Sequence, residues 1–160
     1  MTLTSFWVSR RRAAWALLFP LLCSAQSSGP LTVDKPIPLR VKQGGEAVAT
    51  LKVRLSSGYH VNTNAPLDQY LIPLRLTWDA APLEAAVVEY PQGKLEKYQF
   101  SEKPLSVYST DFDVVTKFNA PANAPKGSKT IMGKLRYQAC TTTTCYPPKT
   151  IAVELPVEVR

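Results

Sequence analysis

Cys140 and Cys145 stand four threonines apart in the run RYQACTTTTCYPPK, with Tyr137 and Tyr146 on either side of them. Two cysteines this close admit three kinds of chemistry: a fixed bridge, a reversible thiol couple, or part of a metal site. If the residues up to Cys140 end one strand and Cys145–Tyr146 begin the next, facing Cβ atoms lie about 4.5–5.5 Å apart, within adjustment range of a disulfide. Closing a loop of about six residues constrains the unfolded chain by roughly 2 kcal/mol, near the low end for disulfides. A bridge selected for stability would span a longer loop. Most disulfides of exported proteins are nevertheless structural, so spacing leaves the staple and the working pair both open. Zinc fits less well, because His60 is the only histidine and the ligand set would have to be completed by carboxylates.

The pair must be positioned by strands. In EAVATLKVRL, Ala47, Ala49, Leu51, Val53 and Leu55 alternate with Thr50, Lys52 and Arg54. The same two-residue period places Leu74, Leu76 and Trp78 on one face, then Ile131, Leu135 and Tyr137, then Ile151, Val153, Leu155 and Val157. Turn signals separate these runs: KQGG, SSGY, TNAP, WDAAP, YPQGK and NAPANAPKGS. No long stretch keeps a helical period. Half-buried strands at this spacing, with 14 prolines to interrupt edges, predict an all-β, immunoglobulin-like antiparallel β-sandwich, with a closed barrel as the alternative.

The 160 residues suit one sizeable core. Before that core, MTLTSFWVSRRR is a basic leader and AAWALLFPLLC a short apolar run interrupted by Pro20, which together read as a secretory signal over residues 1–25. Ala25 and Cys23 supply small residues for cleavage after Ala25. Acylation at Cys23 is the lesser alternative, since Leu22 before it is bulky. The Ser/Gly/Pro-rich residues 26–35 read as a tether, and residues 36–160 as the domain. Removing the signal lowers the formal charge from +7 to +4, with 16 basic residues against 12 acidic ones. The remaining cations are scattered over strand faces, which argues against nucleic-acid binding. After cleavage no stable membrane span is expected. Export to the periplasm would also allow the two remaining cysteines to be held oxidised.

The residues from Tyr137 to Pro148 resemble the active-site segment of the N-terminal periplasmic domain of the thiol:disulfide interchange protein DsbD, in which Tyr-Gln-x-Cys is followed by Cys-Tyr-Pro-Pro. SGYHVNTNAPLDQYLIPLRL and YPQGKLEKYQFSEKPLSVY are similar to further segments of that family, the second leading into its cap loop. The resemblance implies an immunoglobulin-like domain with a redox-active pair. Such a domain takes electrons from a thioredoxin-like donor and passes them to exported thiol oxidoreductase clients, without an organic cofactor or metal. It makes Cys145 the residue that forms mixed disulfides, Cys140 its resolving mate, and Phe100 the cap aromatic that shields them. His60 and Asn62 take the places of two site-lining tyrosines, Tyr98 and Gln99 those of acidic residues before the cap aromatic, and Tyr137 and Tyr146 flank the pair. Burial preference alone would make Phe100 a core residue. His60 either lies near the cysteines, where its charge could favour a thiolate, or is an exposed strand residue without a role. Because the sequence stops at Arg160, the expected module is free-standing and borrows its electrons. The competing reading is a sandwich that binds or assembles with another exported protein, its bridge merely pinning a hairpin.

Overall fold

The computed structural model describes residues 29–160, which form twelve strands and no helix. In chain order they are β1 (Leu31–Val33), β2 (Leu39–Val41), β3 (Glu46–Leu55), β4 (His60–Asn62), β5 (Arg75–Asp79) and β6 (Glu84–Glu89). Then follow β7 (Lys94–Glu96), β8 (Leu105–Tyr108), β9 (Phe112–Asn119), β10 (Gly127–Tyr137), β11 (Ala139–Cys140) and β12 (Lys149–Val159). They make an immunoglobulin-like β-sandwich. One main sheet runs β1-β3-β9-β6, the other β2-β12-β10-β5, and a third, β11-β4-β8-β7, adjoins them. Pairing is antiparallel throughout except between β2 and β12.

The alternation seen in the sequence sets which faces are buried. Leu51 and Val53 of β3, Leu76 of β5, Leu135 of β10 and Val153 of β12 meet in one core cluster. Phe118, Ile131, Leu155 and Val157 meet in a second. The third sheet enters only the first, through Val61, Tyr108 and Ala139, and keeps a small cluster of its own in Tyr98, Leu105 and Val107. Burying such side chains contributes roughly 1.5–3 kcal/mol each, so the fold rests on these clusters.

One expected boundary is corrected. Residues 31–33, assigned to the tether on composition, form β1: Leu31 faces Leu55, Val33 faces Val53, and Leu31 is buried. Backbone bonds from Ser56 to Pro30 (2.8 Å) and from Asp34 to Lys52 (2.9 Å) extend that pairing beyond the strand ends. Three apolar or β-branched residues suffice once β3 offers a free edge. The signal segment 1–25, its cleavage after Ala25, and Cys23 lie outside the described residues.

Candidate thiol–disulfide site

The long β10/β12 hairpin runs in register from Gly127 opposite Val159 to Tyr137 opposite Lys149. Past Tyr137 the chain leaves that sheet, and β11 pairs with β4 instead, placing Ala139 opposite Val61 and Cys140 opposite His60. Cys140 and Cys145 face each other as an antiparallel bridge and are joined by a disulfide, with S–S 2.02 Å and Cα–Cα 4.0 Å. The threonines close the loop through their own hydrogen bonds. Thr141 N donates to Thr144 O at 2.8 Å, Thr144 N to Thr141 Oγ1 at 3.2 Å, and Tyr146 N to Ala139 O at 2.9 Å. Gln138 Nε2 donates to Tyr146 O at 3.0 Å.

The two sulfur-bearing residues differ in access. Cys140 is 1% exposed, whereas Cys145 lies in an exposed stretch that runs from Thr142 to Thr150. Beside Cys145 a cleft of about 250 Å³ is lined by Pro30, Tyr59, Tyr137, Ala139, Tyr146 and Pro147 among others. Tyr146 is 42% exposed and its ring lies 6.1 Å from that of Tyr59, while Tyr137 is buried in the core.

β4 is buried on both faces. Val61 points into the core together with Ala139, so the period of two turns His60 and Asn62, like Cys140, to the opposite face. His60 is 2% exposed, which excludes the reading of it as a surface strand residue. Its cover is the segment after β7. The His60 ring stacks on Tyr98 with centroids 3.8 Å apart and planes 16° apart, and Phe100 lies parallel to both at 6.2 and 5.6 Å. Phe100 is 41% exposed, so it is a surface aromatic and not a core residue. The structure gives Phe100 the rings of His60 and Tyr98 as neighbours. Cys145 remains accessible.

Local interactions hold this segment in place. Lys97 Nζ donates to Ser101 O at 2.7 Å and also to Glu102 O, and Ser101 N donates to Tyr98 O at 3.2 Å. Gly93 lets β7 approach closely, since a Cβ there would lie 2.2 Å from Thr63 Cγ2 and 2.9 Å from Ser106 Oγ. Glu96, which the sequence reading missed, then accepts from Tyr98 Oη and Ser109 Oγ, both at 2.5 Å. The Ser109 and Tyr98 bonds hold the Glu96 carboxyl below its usual range, and burial followed by the Glu96 bond pushes the Tyr98 phenol up. The only signal for Glu96 in the sequence was a carboxylate two residues before Tyr98, which is weak.

Asn62 Nδ2 donates to Ile72 O at 3.0 Å, but Asn62 Oδ1 and His60 Nε2 are buried with no partner among the described residues. Burial lowers the His60 pKa, against a smaller opposing pull from the Glu96 carboxylate. The unfolded chain therefore takes up a proton near pH 6.5 that the folded protein refuses. Stability is complete above that pH and declines as pH falls below it. The urea midpoint is expected to drop between pH 7.5 and 5.5, and to change less in His60→Phe. Glu96 and Tyr98 are the ionisable groups at this ring; Cys140, opposite it, is bonded to Cys145 and does not titrate.

A sequence profile of the family described as "Thiol:disulfide interchange protein DsbD, N-terminal" matches residues 27–156. No curated protein matches in a sequence search. Among solved structures, the N-terminal periplasmic domain of ScsB from Proteus mirabilis is similar at 12% identity and a TM-score of 0.53, with 73% of this chain and 43% of that one covered. The chain thus spans under half of that structure. The seventh ScaB type I cohesin from Pseudobacteroides cellulosolvens is also 12% identical, over 81% of this chain and 92% of its own, with a TM-score of 0.46.

Proposed function

The chain belongs to the DsbD N-terminal family, and on that premise we propose that it is a periplasmic thiol–disulfide exchange module working through Cys140 and Cys145. The observation that carries this reading is the unequal burial of a bonded pair, with Cys145 exposed and Cys140 enclosed. Exchange proceeds by in-line attack of a thiolate on one sulfur of a disulfide, which requires one sulfur within reach of a partner. Cys145 meets that requirement. Cys140, kept from solvent, closes the bond again without competing for the partner.

In the working direction the dithiol form attacks a client disulfide through Cys145. Sγ of Cys145 bonds to one client sulfur, and the other leaves with the electron pair. Cys140 then attacks Sγ of Cys145, the mixed disulfide breaks, and the client departs as a dithiol. A thioredoxin-fold donor reverses these steps on the module to restore its two thiols. The aromatic cleft at Tyr59, Tyr146 and Pro147 gives such partners an apolar footing beside the reactive sulfur. His60, stacked on Tyr98 with Phe100 beside it, stands opposite Cys140 on the face turned away from Val61, and in this reading the stack is the cover of the enclosed sulfur.

The bridge's potential tests the reading. Structural disulfides of exported proteins lie below about −300 mV and resist the glutathione couple. Equilibration in glutathione buffers, with the thiols counted by alkylation and intact mass, is expected to show the bridge opening within the buffered range. A bridge that stays closed at every ratio would leave only a structural role.

A further inference from the structure

His60 is a buried ionisable side chain at the site, and it lies directly across the β4/β11 pair from Cys140. Facing residues of an antiparallel pair project to the same side with Cβ atoms about 4.5–5.5 Å apart, within reach of each other's side chains. The imidazole is fixed there by the Tyr98 stack, and Nε2 has no hydrogen-bond partner among the described residues. A buried basic nitrogen without a donor costs free energy, and a catalytic role is one reason such a group is kept.

Cys140 supplies the use. In the dithiol form its sulfur is enclosed and its anion would lose most of its hydration, yet only the thiolate attacks. Water cannot readily remove that proton. We propose that His60 is the internal base for the resolving cysteine, taking the Cys140 thiol proton onto Nε2 as Cys140 Sγ attacks Cys145 Sγ.

The step balances without further reagents. The Cys140 S–H electron pair forms the Cys140–Cys145 bond, and the pair of the breaking mixed disulfide leaves on the client sulfur. The proton held by His60 then passes to that thiolate or to water. Glu96, anchored by Tyr98 and Ser109, provides the negative field that steadies the transient imidazolium. Tyr98 and the cysteines are the other ionisable groups on this face. A ring kept neutral at physiological pH is in the right state to accept a proton. This inference rests on the exchange reading above and assigns the proton path within it.

The test follows the reduced protein after mixing with glutathione disulfide, quenching with acid and resolving the species by mass. Capture of one glutathione on Cys145 and its release as the bridge closes are separate phases. His60→Phe keeps an aromatic ring on Tyr98 but no basic nitrogen. At pH 7 it should slow release about 100-fold, the low end for general base catalysis, and change capture less than twofold. As pH rises and hydroxide ionises Cys140 unaided, the two proteins should converge. His60→Gln, which retains polarity without useful basicity, should behave like His60→Phe and substitutes for it should the latter not fold. Release within threefold of wild type at pH 7 overturns the proposal. So does a defect of the same size at every pH, which would mark a packing role. Failure of wild type to capture glutathione at all would instead overturn the exchange reading itself.

Discussion

Cys140→Ser is expected to capture a partner and then hold it. Cys145 lies in the exposed part of the hairpin, so its thiolate still attacks, but no second sulfur follows to free the product. The closing step is intramolecular, and well-placed intramolecular attack corresponds to effective concentrations of about 10⁵ M or more, so its loss should reduce turnover by at least about 1,000-fold. Covalent adducts with thioredoxin-fold proteins should accumulate in periplasmic extract, visible on non-reducing gels and dispersed by dithiothreitol. Cys145→Ser should give none, because Cys140 is enclosed. The opposite pattern, with adducts only in Cys145→Ser, would reverse the roles. Equal partner recovery from both variants and wild type, unaffected by reductant, would favour a binding sandwich with an incidental bridge.

Phe118→Ala is expected to cost about 3–5 kcal/mol, the range for removing a buried aromatic. Phe118 has no exposed surface, and its ring meets Trp78 edge to face at 5.4 Å and 71°. Trp78 cannot simply follow it into the void, because its Nε1 donates to Thr116 Oγ1 at 3.0 Å and its ring covers the space a Cβ on Gly133 would fill. Replacing both Cys140 and Cys145 by serine should cost only about 2 kcal/mol, since the loop they close is short. Urea midpoints of the two proteins, compared at constant slope, measure the contrast. Phe118 belongs to the cluster that takes no residue from the third sheet, so the variant should retain glutathione capture and release in the absence of denaturant. A larger loss from the double serine variant would mean that the bridge holds the fold together.

The long strands were legible because each buries one face. Every other residue is apolar through β3, from Ile131 onward in β10 and from Ile151 onward in β12, and that period survives any error in topology. β1 was not legible, since three residues among Ser, Gly and Pro carry no period and pair only because β3 leaves an edge free. β4 was legible as chain but not as environment. The sequence left His60 either near the cysteines or exposed on a strand; it is enclosed because Tyr98, 38 positions later, stacks on it. The cysteines show the same limit. Their spacing allowed a bond without indicating which sulfur would face solvent, because that depends on β11 leaving one sheet for another. The Cys-Tyr-Pro-Pro run named a family, and the family match agrees with it.

If the chain works as proposed, the threonine turn affects how partners would tell its two redox states apart. Its backbone is closed by Thr141, Thr144, Ala139 and Tyr146 without help from sulfur. Under the exchange reading, opening the bridge would therefore ask for little reorganisation, and the oxidised and reduced forms would present nearly the same outline. A docking protein that reads contour alone would welcome the spent form as readily as the charged one. Discrimination then falls to whether a covalent step is available once the two have met, which favours brief, frequent encounters over tight ones.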